Sequence, residues 1–180
     1  MEIKIGTQQI LTVLYVIAWI IFIGLCIEAG THIFNALFTL LINPQAASYL
    51  NLKALYQYDK GYFITELSLI SISSVLKALM FYLIVKILHD KKLNMAQPFN
   101  KELGRFIFNL SYLSMGIGLF CYWGVGNTAW LVGKGVQMPD IQRLRLGGAD
   151  VWLFMGVTLL VIAQIFKRGI EIQSENELTV

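Results

Sequence analysis

Long apolar runs separated by short polar stretches dominate the pattern of this chain. A helix needs about 20 mainly apolar residues to cross the hydrocarbon core of a bilayer. Four stretches satisfy that length, and we assign them to spans at about residues 10–30, 62–88, 106–132 and 149–168. The pattern therefore predicts an all-α integral membrane protein. We expect residues 1–180 to form a single four-helix membrane domain, in which residues 169–180 are a cytoplasmic tail.

Two connections between the predicted spans carry structural signals of their own. Apolar residues continue from Ile33 to Ile42 beyond the first span. They predict either a long first helix that runs past the membrane surface, which we favour, or a helix that changes direction after Gly30. The last connection, 133–148, is rich in glycine and contains Pro139, so we expect an irregular external loop there.

The composition supports a membrane protein. Hydrophobic residues make up 57% of the chain and charged residues 14%, whereas soluble domains contain about half and about a quarter. A lipid bilayer is therefore the first partner that the sequence predicts. The two cysteines and two histidines are widely separated. The sequence thus predicts no metal site and no cofactor. It contains no recognisable enzyme motif, so we expect neither catalytic residues nor direct nucleic-acid binding.

Basic residues in the connections predict the orientation of the spans. Because successive spans alternate in direction, eight Lys and Arg residues fall on one side and five on the other. The more basic side normally faces the cytoplasm, so we expect an N-in/C-in bundle with both termini cytoplasmic. The first group is Lys4, Lys86, Lys91, Lys92, Lys101, Arg105, Lys167 and Arg168, and the second is Lys53, Lys60, Lys134, Arg143 and Arg145.

Charged residues inside the second span mark a candidate functional site. A charge near mid-membrane costs on the order of 3 kcal/mol or more unless it finds a partner or water. Lys77, Glu66 and Ser73 fall on nearly one helical face, which indicates either a polar cavity or ion path, or a structural hydrogen-bonded network. We expect Lys77 to face the bundle interior and contact a polar side chain of a neighbouring helix. The candidate partners are Asn109, Ser111, Tyr112, Ser114 and Gln164.

A second polar group lies toward the predicted outer ends of the spans. It comprises Glu28, His32, Glu66 and Asp150. These residues predict an external vestibule closed by Arg143 or Arg145, or else ordinary polar positions at the membrane–water interface. Asp150 also suits the first turn of the fourth span, where the helix dipole favours an acid.

Two motifs resemble a bacterial family of small four-helix membrane proteins of unknown function. One is the ending from Ile165 to Val180, and the other is Gln97-Pro98-Phe99-Asn100 followed by a helix near Phe106. The resemblance implies a bacterial cytoplasmic (inner) membrane location. It also implies a partner, because many members are encoded beside a small helix-turn-helix regulator of the Cro/repressor type.

The resemblance therefore implies a membrane anchor or signalling partner for a small cytoplasmic DNA-binding regulator. The basic 86–105 connection and the acidic tail then form one contact surface, unless they are only a lipid-binding loop and a solvated tail. The alternative function is a small transporter or channel that uses Lys77, Glu66 and Glu28. The predicted partner-binding residues are Lys91, Lys92, Pro98, Phe99, Glu171, Glu175, Glu177, Leu178 and Val180.

Overall fold

The computed structural model of the chain describes residues 7–90 and 100–177, and its regular structure there is entirely helical. Four of its helices are long and apolar enough to cross a membrane, so the prediction of an all-α protein with four spans is confirmed. The helices are α1 (Thr7–Leu41), a short 3₁₀ helix (Pro44–Ser48), α2 (Lys53–Tyr58), α3 (Lys60–His89), α4 (Lys101–Gly133) and α5 (Ala149–Glu177).

Side-chain caps place the starts of the central helices. The Asp59 carboxylate accepts a hydrogen bond from the Tyr62 N–H at 2.9 Å, and the Asn100 side chain accepts one from the Leu103 N–H at 2.7 Å. Such caps satisfy backbone N–H groups that have no partner within the helix. Asn100 therefore starts α4 several residues before the apolar run that begins near Phe106.

The first helix is continuous through Gly30 to Leu41, so the chain does not change direction there. Its 35 residues give a length of roughly 52 Å, well beyond the hydrocarbon thickness of about 30 Å. Most of its buried or half-buried residues form a narrow stripe with spacings of three and four residues, as expected for two helices packed along a left-handed seam. The stripe is Leu11, Tyr15, Ala18, Phe22, Leu25, Ala29, His32, Ala36 and Thr39.

The long helices pack in chain order as a row. Among the described residues, α1 lies against α3, α3 against α4, and α4 against α5, whereas α1 and α5 make no close backbone approach. The central helices consequently bury a larger share of their surface than the outer two. At one end of the α1–α3 contact the Tyr15 hydroxyl lies 2.9 Å from the His89 Nδ1. We call this the 90–100 end, and the opposite end of the molecule the 42–59 end.

Small residues let α4 and α5 approach closely. A Cβ at position 118 would lie 2.6 Å from the Leu153 Cγ, and one at position 156 would lie 2.5 Å from the Met115 Cγ. The Ser111 hydroxyl adds a hydrogen bond of 2.8 Å to the Gly156 carbonyl. Small residues at such contacts are typical of membrane helices, since lipid supplies no hydrophobic drive for helices to associate.

The connection between α4 and α5 doubles back along α4. Leu146 is fully buried, and a Cβ at Gly124 would lie 2.7 Å from its Cδ1. Gly124 lies nine positions before the end of α4, which corresponds to roughly 13 Å along the helix. We call residues 134–148 the re-entrant segment. It is irregular, as its glycines predict, and Leu144 and Leu146 bury their side chains in the core.

The close approach of α4 and α5 makes a prediction about glycine substitutions. In Gly156→Ala the new methyl group would also lie 2.9 Å from the Met115 backbone nitrogen, which cannot rotate away. The clash should cost about 1–3 kcal/mol, more than the roughly 1 kcal/mol of helix propensity that alanine supplies. We expect a lower free energy of unfolding, measured by denaturant titration in detergent micelles. Gly126→Ala is the matched control, because a Cβ there would meet nothing within 4 Å; equal stability of the two variants would contradict the packing argument.

Candidate functional site

Lys77 anchors the tip of the re-entrant segment. Its Nζ donates a hydrogen bond of 2.7 Å to the Arg145 backbone carbonyl. Lys77 lies mid-way along α3, and side chains of a helix point toward its N-terminus. The Nζ therefore points toward the 42–59 end. There it meets the tip of the re-entrant segment, just before α5 begins. The bond gives the Lys77 amine a partner. It also gives a hydrogen-bond donor to the Arg145 carbonyl, which lies outside any helix.

Arg145 is held from both sides at this tip. Its backbone has a φ of 58°, a left-handed conformation that is uncommon for residues other than glycine and asparagine. Its Nε lies 3.4 Å from the Glu28 carboxylate of α1, whose side chain is only 22% exposed. Such backbone conformations persist where surrounding contacts impose them, and here Lys77 holds the carbonyl while Glu28 holds the guanidinium.

The partner of Lys77 differs from our expectation. Lys77 is half-buried and faces polar protein, but the polar group comes from the re-entrant segment and not from a side chain of α4 or α5. Of the candidates, Ser111 donates to α5, and Ser114 lies 3.7 Å from the Met80 sulfur. The expectation was wrong because it considered side chains of regular helices only, whereas the acceptor is a backbone carbonyl.

Glu66 belongs to a different contact. It is fully buried and accepts hydrogen bonds from the Asn127 amide at 2.5 Å and the Thr128 hydroxyl at 2.7 Å. Both donors lie on α4, so this carboxyl group ties α3 to α4 near the 42–59 end. The polar pair Asn127-Thr128 within an apolar span was the sequence signal for these partners, and our sequence reasoning did not use it.

The remaining predicted polar residues lie at separate positions. Ser73 is buried and donates to the Ile70 carbonyl at 2.9 Å, one turn from Lys77 on α3. His32 is buried on the α1 stripe, one turn from Glu28. Asp150 is exposed in the first turn of α5. The structure thus joins Glu28, Lys77 and Arg145 into one polar cluster, with His32 and Ser73 next to it along their helices.

A groove of about 170 Å³ lies between α3 and α4 at the 90–100 end. Two basic residues, Lys86 and Arg105, and two acidic ones, Asp90 and Glu102, line it. Its other lining residues are Leu83, Ile87, Phe106 and Asn109. The groove therefore combines charges of both signs with an apolar floor.

The tail continues α5 as a helix that packs on the start of α4. Helix α5 extends to Glu177, and a Cβ at Gly104 of α4 would lie 3.2 Å from the Ile170 Cδ1. Arg168 and Glu171 form an ion pair at 3.1 Å on the tail surface, and Ile172 is exposed. The start of α4 and the extension of α5 therefore share one surface.

Several predicted partner-binding residues cannot be placed. Lys91, Lys92, Pro98, Phe99, Leu178 and Val180 lie outside the described residues, and Glu177 is described only as the last residue of α5. Glu171 and Glu175 lie on the extension of α5. Within the described part of the chain, no group of three or more His, Cys, Asp or Glu side chains is arranged to hold a metal ion.

A known protein family matches most of the chain. Residues 44–180 match the model of a family described as "Protein of unknown function (DUF2975)". The chain belongs to the DUF2975 family. The matched region starts at the 3₁₀ helix and contains α2 to α5, and therefore both the re-entrant segment and the groove. No curated protein and no solved structure matches the chain.

The hydrogen bond from Lys77 makes a prediction about the re-entrant segment. Lys77→Met keeps a long side chain but leaves the Arg145 carbonyl without its donor. A hydrogen bond to a charged group contributes roughly 1.5–3 kcal/mol, so amide hydrogen exchange across residues 141–148 should become about tenfold faster or more. Mass spectrometry of the exchanged protein in detergent measures this. Lys86→Met, on the same helix at the 90–100 end, is the control; unchanged exchange in Lys77→Met would show that the bond does not hold the segment.

Proposed function

We propose that this protein is a membrane-bound anchor or signalling partner for a small cytoplasmic helix-turn-helix regulator. The observation that carries the proposal is the surface at the 90–100 end. There the groove lies between α3 and α4, and the helical extension of α5 packs on the start of α4 at Gly104. The protein acts by binding and not by catalysis in this proposal.

The chemistry of that surface suits a protein partner. Lys86 and Arg105 attract acidic groups, while Asp90 and Glu102 attract basic ones. Such charges govern encounter rate and partner choice more than affinity. Leu83 and Phe106 in the groove and Ile172 on the tail supply the apolar contact that binding energy requires.

The identity of the partner rests on the family resemblance described above. Many members of the resembling bacterial family are encoded beside a Cro/repressor-type regulator. A DNA-binding partner must meet this surface in the cytoplasm, so the proposal requires the 90–100 end to face inward in the bacterial cytoplasmic membrane. The eight-to-five distribution of Lys and Arg supports that orientation.

The orientation leads to a labelling prediction. In a background with Cys26 and Cys121 replaced by alanine, a cysteine introduced at position 95 should be shielded from an impermeant thiol reagent in intact cells. A cysteine introduced at position 137 should react. Labelling after cell lysis is the control for reactivity at both positions, and the reverse pattern in intact cells would overturn the orientation.

Recruitment of the regulator tests the function directly. Coexpression of the full chain with a small helix-turn-helix protein of the Cro/repressor type should move that protein into the membrane fraction. Placing like charges opposite each other costs several kcal/mol, so Lys86→Glu combined with Arg105→Glu should weaken binding tenfold or more. The measurement is the amount of regulator that copurifies with the detergent-solubilised protein.

Two further variants make this test specific. A chain stopped after Gln173 keeps the contact between Ile170 and Gly104 but loses Glu175 and the residues beyond it, and it should also retain less regulator. Lys60→Glu, at the 42–59 end, is the control and should bind normally. If the regulator stays soluble beside the unaltered chain, the anchoring function is wrong.

The polar cluster supports a second candidate function, a small transporter or channel. Glu28 and Lys77 place ionisable groups within helices that are apolar enough to span a membrane, and Arg145 of the re-entrant segment contacts both. Such residues commonly mark ion or substrate paths. Glu66 would contribute through its contact with α4. An ion flux into liposomes containing the purified protein, lost in Lys77→Met, would favour this function over anchoring.

A further inference from the structure

The side chain of His32 is buried without a hydrogen-bond partner. It is 7% exposed, and neither its Nδ1 nor its Nε2 has a partner among the described residues. A neutral imidazole carries one donor and one acceptor, and leaving buried polar groups unpaired is costly. A histidine in this state is available to a ligand, provided that a ligand can reach it.

A cleft at the 42–59 end lies beside His32. Its volume is about 230 Å³, and His32, Ile70 and Leu144 form part of its wall together with Asn51 and Arg143. A second cleft of about 380 Å³ adjoins it, since Asn51 and Arg143 line both. The second cleft includes Lys53 of α2 and Gln137 of the re-entrant segment. Together the two lie within the size range of small-molecule sites, about 300–1,000 Å³.

The charges around these clefts have one sign. Lys53 and Arg143 are basic, and none of the described residues that line either cleft is acidic. Nearby carboxylates are engaged elsewhere: Glu28 pairs with Arg145, and Asp140 accepts the Gln142 N–H at 3.1 Å. The clefts are therefore positively charged and provide hydrogen-bond donors from Asn51 and Gln137.

We propose that this pair of clefts binds a small organic anion, a carboxylate or phosphate with an apolar body. Arg143 binds the anionic group, Lys53 attracts it at the mouth, and His32 hydrogen-bonds to the inner end of the ligand. Leu50, Ile70 and Leu144 contact its apolar part. The same chemistry occurs in a soluble metabolite and in an anionic lipid headgroup. The site does not depend on recruitment of a regulator, which concerns the opposite end of the molecule.

Nuclear magnetic resonance of the histidine rings tests the proposal. The chain has two histidines, so labelling with ¹⁵N-histidine gives two sets of ring-nitrogen signals, one for each residue. His89, beside Tyr15 at the 90–100 end, is the internal reference. At fixed pH, the full chain in neutral detergent is titrated with benzoate or inorganic phosphate. In a second arm, nanodiscs of phosphatidylcholine are compared with nanodiscs that also contain phosphatidylglycerol.

We expect at least one of these probes to shift the His32 ring nitrogens saturably and to leave His89 unchanged. A response to benzoate or phosphate assigns the site to soluble anions, and a response to phosphatidylglycerol alone assigns it to a lipid headgroup. Arg143→Gln removes a charge-assisted contact and should weaken the response about tenfold or more. Arg143 is exposed, so this variant should fold.

Lys134→Gln is the matched control. Lys134 is also basic and close to the 42–59 end, but its Nζ lies over the Trp130 ring and it lines neither cleft, so its loss should leave the response unchanged. The proposal is overturned if no probe shifts His32 saturably. It is equally overturned if Arg143→Gln responds as the unaltered chain does.

Discussion

The hydrogen bond from Lys77 to the Arg145 carbonyl determines how the 42–59 end of this molecule is built. An irregular segment can enter a membrane domain only where its backbone polar groups find partners. Lys77 supplies one at the tip of the re-entrant segment, and Glu28 holds the same residue by its side chain. Because the tip is held there, α5 begins beside the middle of α4, and Leu144 and Leu146 become part of the core.

The two ends of the molecule consequently have different chemistry. The 42–59 end carries two positively charged clefts, the 90–100 end carries a groove with charges of both signs, and the polar cluster lies between the two ends. A single stripe on α1, packed against α3, runs the length between them. His32 lies on that stripe at one end and Tyr15 at the other, so the α1–α3 contact is the structural element that both ends share.

Sequence reasoning located part of the candidate site. Lys77, Glu28 and His32 could be selected because ionisable side chains are costly in a span and therefore informative. Their partners could not be selected in the same way. Arg145 contributes a backbone carbonyl, which every residue possesses, and Glu66 bonds to α4 and not to the cluster that contains Lys77.

The number of spans was determined by sequence alone, because the length of an apolar run must match the thickness of the bilayer. The start of α4 was also predictable, since Asn100 caps locally. The packing of the helices was not predictable from the sequence. Helix α1 is apolar over most of its surface, and lipid is as apolar as a protein interior, so hydrophobic periodicity does not distinguish its α3 contact from its lipid surface. The path of residues 134–148 was likewise decided only in the tertiary structure. There Gly124 of α4 leaves room for Leu146, and Lys77, distant in sequence, donates a hydrogen bond to the Arg145 carbonyl at the tip.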